Sequence, residues 1–144
     1  MTWLYIGIGI AVGVIAILVF SRAITFWMAR RTAPLVFARI EKSLGLLDVH
    51  RGIAAAITHI AKLRFERMTR KEFDVLAPNA YVQDIAFMLC TEVISELGFA
   101  EELPGDATQG DLQYASYALL KTGEAINVQP HLIALARVTF GSMD

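Results

Sequence analysis

The stretch "WLYIGIGIAVGVIAILVFSRAITFWMARR", residues 3–31, decides how the rest of the chain is read. Its first 18 residues carry no charge. As a helix rising ~1.5 Å per residue they extend about 27 Å, close to the ~30 Å hydrocarbon thickness of a bilayer. A cleavable secretory signal would open with a basic region and close on a small-x-small site. Here Met1 and Thr2 are uncharged, and the apolar run gives way to Ser21, Arg22 and Ala23. The expectation is a retained membrane anchor.

The flanks agree with that reading. Trp3 and Tyr5 stand at one end, and Phe26 and Trp27 lie about 36 Å further along at the helical rise. Aromatic rings favour both membrane interfaces, and Arg22 has a side chain long enough to reach the inner one. Positive charge follows the segment and does not precede it, at Arg22, Arg30, Arg31, Arg39 and Lys42. Basic flanks stay cytoplasmic, so the predicted topology is N-terminus outside and C-terminus inside, in a bacterial inner membrane. The expected interface anchors are Trp3, Tyr5, Arg22, Trp27, Arg30 and Arg31. Within the span, Gly9 and Gly13 form a GxxxG pair with Gly7 nearby. Gly9, Gly13 and Ala16 are the expected packing face, since small residues let a second helix approach to backbone contact in lipid. A soluble bundle burying this helix on both faces would need apolar surface that the remaining chain scarcely has.

The chain has 144 residues, 56% of them hydrophobic, and a mean hydropathy of +0.51, which suits one anchor and one compact domain and excludes a disordered tail. Its net charge of −1 hides a division. Residues 1–72 hold 11 Lys/Arg against 4 Asp/Glu, a net of +7, whereas residues 73–144 hold 2 against 10, a net of −8. The single cysteine, Cys90, excludes an internal disulfide and lacks metal-ligand spacing. Set among Phe87, Met88, Leu89 and Val93, it reads as a buried, inert thiol.

Past the anchor, Pro34 removes an amide donor and disfavours helical angles at Ala33, so a break is expected at residues 32–34. Residues 35–47 then form an amphipathic helix with Val36, Phe37, Ile40, Leu44 and Leu47 on one side and Arg39, Glu41, Lys42 and Ser43 on the other. This helix suits either the headgroup layer or packing on its neighbour. Asp48 is the expected N-cap of a longer helix over residues 49–73, with Ile53, Ile57, Ile60, Ala61, Phe65 and Met68 as its apolar stripe. His59, Lys62, Glu66 and Arg70 line its other side, with Lys62–Glu66 and Glu66–Arg70 at supporting i,i+4 spacing. Lys62, Arg64, Arg67, Arg70 and Lys71 concentrate charge at its end.

Pro78 and Asn79 introduce another helix, with Val82, Ile85, Leu89, Val93 and Leu97 as core face and Gly98 as stop. An acidic loop built on Pro104-Gly105-Asp106 follows. Thr108 and Asp111 resemble a capping box opening a helix to about Ile126, which buries Leu112, Ala115, Leu119 and Ile126. Pro130 begins a last helix ending at Gly141. Sustained period-two alternation is absent, so the predicted fold is all-α, a single transmembrane helix followed by a small helical bundle. Three segments are expected: an anchor over 1–31, basic juxtamembrane helices over 32–72 and an acidic helical domain over 73–144.

Residues that could carry chemistry are sparse. His50 and His59 are nine apart, hence on opposite helix faces and unable to share a metal, and His131 stands alone. Nucleotide-binding, hydrolase and metalloprotease motifs are absent. Asp84, Glu92 and Glu96 share one side of a helix, where they form either a solvated acidic row or, with Glu124, a divalent-ion site. The basic run at residues 62–71 has three possible counterparts. It can meet an acidic protein surface, including this chain's own second half, or anionic lipid at about 1 kcal/mol per cation. Nucleic acid is disfavoured by the anchor and the acidic tail.

These features predict a non-catalytic accessory or scaffolding subunit of a membrane complex, without cofactor, whose partners are other subunits of that complex. The alternative is a self-associating pore former or sensor. A membrane-tethered enzyme or metal-binding protein using the Asp84, Glu92 and Glu96 row is the third reading.

Overall fold

The computed structural model describes residues 2–76 and 80–141. Among the described residues six helices follow in order: α1 (Thr2–Leu46), α2 (Arg51–Arg67), α3 (Arg70–Leu76), α4 (Val82–Gly98), α5 (Gln109–Ala125) and α6 (Pro130–Gly141). No strand occurs among the described residues, so the protein is all-helical. Pro78 and Asn79, expected to introduce α4, lie outside the described residues.

The break expected at Pro34 does not occur: α1 runs through it for 45 residues. An interior proline costs a helix about 3 kcal/mol. Past it, however, Phe37, Ile40 and Leu44 are buried to 2% exposure or less, and each such side chain contributes about 1.5–3 kcal/mol. Burial outweighs the lost hydrogen bond. Because Pro34 itself is exposed, Pro34→Ala should restore a donor to the Arg30 carbonyl without disturbing the core. The expected result is a thermal midpoint in detergent raised by several degrees; a fall would mean that a local bend at residue 34 seats α1 in the bundle.

One connection replaces a cap read from sequence. Asp48 is not the N-cap of α2; it ends α1 in the left-handed region, with φ 60°. The Asp48 N–H donates to the Gly45 carbonyl (3.1 Å) and the Val49 N–H to the Leu44 carbonyl (3.0 Å). The same Schellman pattern ends α5, where Asn127 has φ 61°, its N–H donates to Glu124 and the Val128 N–H to Gly123. Asp and Asn tolerate that conformation better than other side-chain-bearing residues, and in both places the next residue, Val49 or Val128, is buried. The N-cap of α2 is His50, whose Nδ1 accepts from the Gly52 N–H (3.1 Å).

The helix expected over residues 49–73 is divided at Met68 and Thr69 into α2 and α3. Met68 is extended and buried, and Thr69 Oγ1 accepts from the Glu72 N–H (3.2 Å), capping α3. Arg30, reaching across from α1, donates to the carbonyls of Glu66 (3.0 Å) and Met68 (3.1 Å) at the end of α2. A cation there also meets the negative end of the helix dipole. Division separates Glu66 from Arg70, which instead faces Asp74 one turn on at 3.9 Å.

One continuous hydrophobic core joins the second half of α1 to every other helix, through residues such as Ile40, Ile57, Phe73, Ile94, Leu119 and Phe140. The boundaries read at 31/32 and 72/73 therefore fall inside helices α1 and α3. Helix α4 lies centrally, packed on α1, α2, α5 and α6. Its buried surface is wider than the predicted stripe, taking in Ala86, Phe87, Cys90 and Ile94 besides Ile85 and Val93. The expected cap of α5 is present: the Thr108 N–H donates to Asp111 Oδ2 (2.9 Å) and the Asp111 N–H to Thr108 Oγ1 (3.2 Å).

Candidate functional site

Helix α1 has two unlike halves. From Ala29 onward it presents Ala29, Ala33, Val36, Phe37, Ile40 and Leu44 to the bundle. Before Ala29 none of its described residues is buried, and Ile10, Ile17 and Phe20 are 63%, 69% and 68% exposed. This is the one described helix long and apolar enough to span a membrane, with a mean hydropathy of 2.5 over its most apolar window. Gly9 and Gly13 have open space where a Cβ would lie, and Ala16 is exposed. Trp3, Tyr5, Arg22, Trp27 and Arg31 are all exposed. Phe26, read as part of an inner aromatic belt, instead turns inward. Its ring meets Phe73 of α3 edge-on at 5.3 Å between centroids, and the Arg30 guanidinium sits 4.7 Å above it.

Helix α3 is thereby fixed against the end of the exposed half of α1. Phe73 is buried, and the Arg70 guanidinium donates to the Val19 carbonyl at 3.1 Å. Lys71 and Val75 share the outer side of this short helix, Val75 being 75% exposed. Thr69-Arg70-Lys71-Glu72 carries the Ser/Thr-x-x-Glu spacing of a helix start.

The basic run is divided among different tasks. Arg64 pairs with Glu96 of α4, tying the basic half to the acidic half. This hydrogen bond, with the Glu96 and Glu92 charges, raises the Arg64 pKa against the opposing effect of burial. Lys62 is half-buried in a groove between α1 and α2 that Pro34, Phe37, Glu41 and His59 also line. Arg67 and Lys71 are exposed.

The carboxylate row does not form a site. Asp84 is fully buried, accepting from the Tyr81 N–H (2.8 Å) and the Gln129 N–H (3.0 Å), while Glu92 is exposed and Glu96 is engaged by Arg64. Spacing of four and eight puts these residues on one side of α4, but the bundle covers only the first turn of that side. Among the described residues no group of three His, Cys, Asp or Glu side chains converges on a point where a metal could sit. Glu92 and Glu96 border a groove of about 350 Å³ between α4 and α6, floored by Phe87, Met88, Leu132 and Ala136.

Cys90 and His50 are held in structural positions. Burial pushes the Cys90 thiol up to about 12, which removes the thiolate needed for nucleophilic chemistry near neutral pH. His50 Nε2 lies 2.8 Å from Asp106 Oδ1. Because Nδ1 accepts from Gly52, Nε2 carries the ring proton and donates, holding the Asp106 carboxyl below its ordinary pKa. This contact fastens the acidic loop to the start of α2. His59 and His131 lie on exposed helix surfaces, apart from it. Comparison with protein-family models, with curated proteins and with solved structures finds no match for this chain.

Proposed function

We propose that the chain is a single-pass membrane protein, with its N-terminus outside and its bundle in the cytoplasm of a bacterium, serving as a non-catalytic accessory or scaffolding subunit of a larger membrane complex. One observation carries the reading: a single helix begins as an uncovered apolar rod and continues without a break into the hydrophobic core of the bundle. A partner gripping the outer half of α1 is thus mechanically joined to the bundle, as a scaffold requires. In lipid, helices associate through close packing of small residues, and the open face at Gly9 and Gly13 is suited to that contact. The sparse polar chemistry fits the same role, since the buried carboxylate, thiol and hydroxyls are committed to packing and capping.

The test is mild-detergent extraction of the full chain from native membranes, followed by native mass measurement. A stable hetero-assembly is expected. Gly9→Ile with Gly13→Ile should dissociate it at least tenfold more readily, since two branched side chains prevent close helix approach. A homo-oligomer of this chain alone would replace the scaffold reading with self-association, and a monomer that turns over substrate would overturn both.

A further inference from the structure

We infer that helix α3, together with Arg22 and Arg67, forms a docking surface for the anionic headgroups of the inner leaflet, so that the bundle rests on the bilayer through this one short helix. The inference rests on the membrane-spanning reading of α1 and adds to it which face of the bundle meets lipid and which lipid that face selects.

Depth comes first. With Trp3 at the outer interface, a hydrocarbon core of ~30 Å ends about 20 residues further along the helix, near residue 23. Arg70 is bonded to the carbonyl of Val19, and Phe73 packs on Phe26. Helix α3 therefore lies alongside α1 over the levels of residues 19–26, which straddle that boundary. An element fixed there sits among headgroups, because α1 cannot span the bilayer without drawing α3 to its surface.

The chemistry of the exposed side suits that depth. Phe73 turns inward, while Lys71 and Val75, four residues apart, occupy the opposite side of α3. Val75 is 75% exposed and Trp27, on the adjoining part of α1, is 69% exposed. These apolar groups lose unfavourable water contact at the acyl boundary, while Arg22, Arg67 and Lys71 remain exposed and outnumber Glu72, the exposed carboxylate of α3. Arg70 contributes less, because Asp74 and the Val19 carbonyl already engage it. Three uncommitted cations beside two inserted side chains constitute an interfacial anchor for phosphate diesters that carry net negative charge.

The experiment uses the full chain in nanodiscs of phosphatidylcholine with or without phosphatidylglycerol, in a Cys90→Ala background. Nitroxide labels are placed at Ile10→Cys, Val75→Cys and Phe99→Cys, one at a time, and their accessibility to oxygen and to a water-soluble nickel relaxant is measured. Residue 10 should report acyl-chain depth, residue 75 the headgroup boundary and residue 99 water. Lipids retained in native mass measurement should favour phosphatidylglycerol by about fivefold or more, and Arg22→Gln, Arg67→Gln and Lys71→Gln combined should reduce that preference to near unity. Acyl depth at residue 10 with full water exposure at residue 75 overturns the inference alone. Water exposure at residue 10 overturns the spanning reading and the inference with it. An unchanged lipid preference in the triple variant overturns the selectivity.

Discussion

Asp84→Ala should make the bundle markedly easier to unfold. The carboxylate is fully buried and accepts two backbone N–H groups, from Tyr81 at the start of α4 and from Gln129 just before α6. Alanine leaves both part-buried donors without this partner, at about 1–3 kcal/mol each. A loss of about 2–6 kcal/mol compares with a total stability of about 5–15 kcal/mol for a typical domain. At about 4 °C per kcal/mol for a chain of this size, the thermal midpoint should drop by about 8–24 °C. Asp84→Asn keeps the shape and one acceptor oxygen, so it should cost roughly half as much. Circular dichroism melts of the detergent-solubilised chain would decide the matter. A change of less than about 0.5 kcal/mol for Asp84→Ala, the size expected of an ordinary surface substitution, would show that water replaces the carboxylate without loss.

At Gly123 two effects of opposite sign compete. Glycine inside a helix is about 1 kcal/mol worse than alanine, so propensity alone predicts that Gly123→Ala stabilises α5. The space forbids it. A Cβ built there would lie 2.7 Å from Phe87 Cε2 and 3.1 Å from its Cδ2, and Phe87 is 1% exposed, with no room to withdraw. Overpacking of this kind costs about 1–3 kcal/mol, occasionally more. Gly123→Ala should therefore lower the thermal midpoint despite its better propensity, and Gly123→Val should lower it further. Adding Phe87→Leu to Gly123→Ala should recover part of the loss, a coupling that a double-mutant cycle measures directly. A raised midpoint for the alanine variant would mean that α4 and α5 separate at little cost.

Both residues show how far one-dimensional reading extends. The sequence pattern places Asp84 on one side of a helix with Glu92 and Glu96 but cannot distinguish a solvated side from one that another helix end covers. At Gly123, helix propensity alone favours alanine, and only the packing of Phe87 beside it reverses that preference. Pro34 is similar: its local effect is to end a helix, and only the burial of Phe37, Ile40 and Leu44 beyond it keeps α1 continuous. Asp48 misled because aspartate suits both a helix N-cap and the left-handed residue that closes a Schellman motif. Glu72, three residues after Thr69, is a readable start signal for α3, obscured by an apolar stripe that continues across it.

By itself the sequence determined the properties that depend on neighbours a few residues away: an all-helical chain, an uncharged apolar rod at its beginning, the Thr108–Asp111 cap, and the end of α4 at Gly98. Tertiary structure decided the rest. It turned Arg30 and Phe26 inward and joined Arg64 to Glu96. It also fixed α3 beside Val19. The physical reason is range. Periodicity, capping and span length are satisfied within one or two helical turns, whereas the partner of a charge and the space beside a glycine depend on residues that only packing brings near.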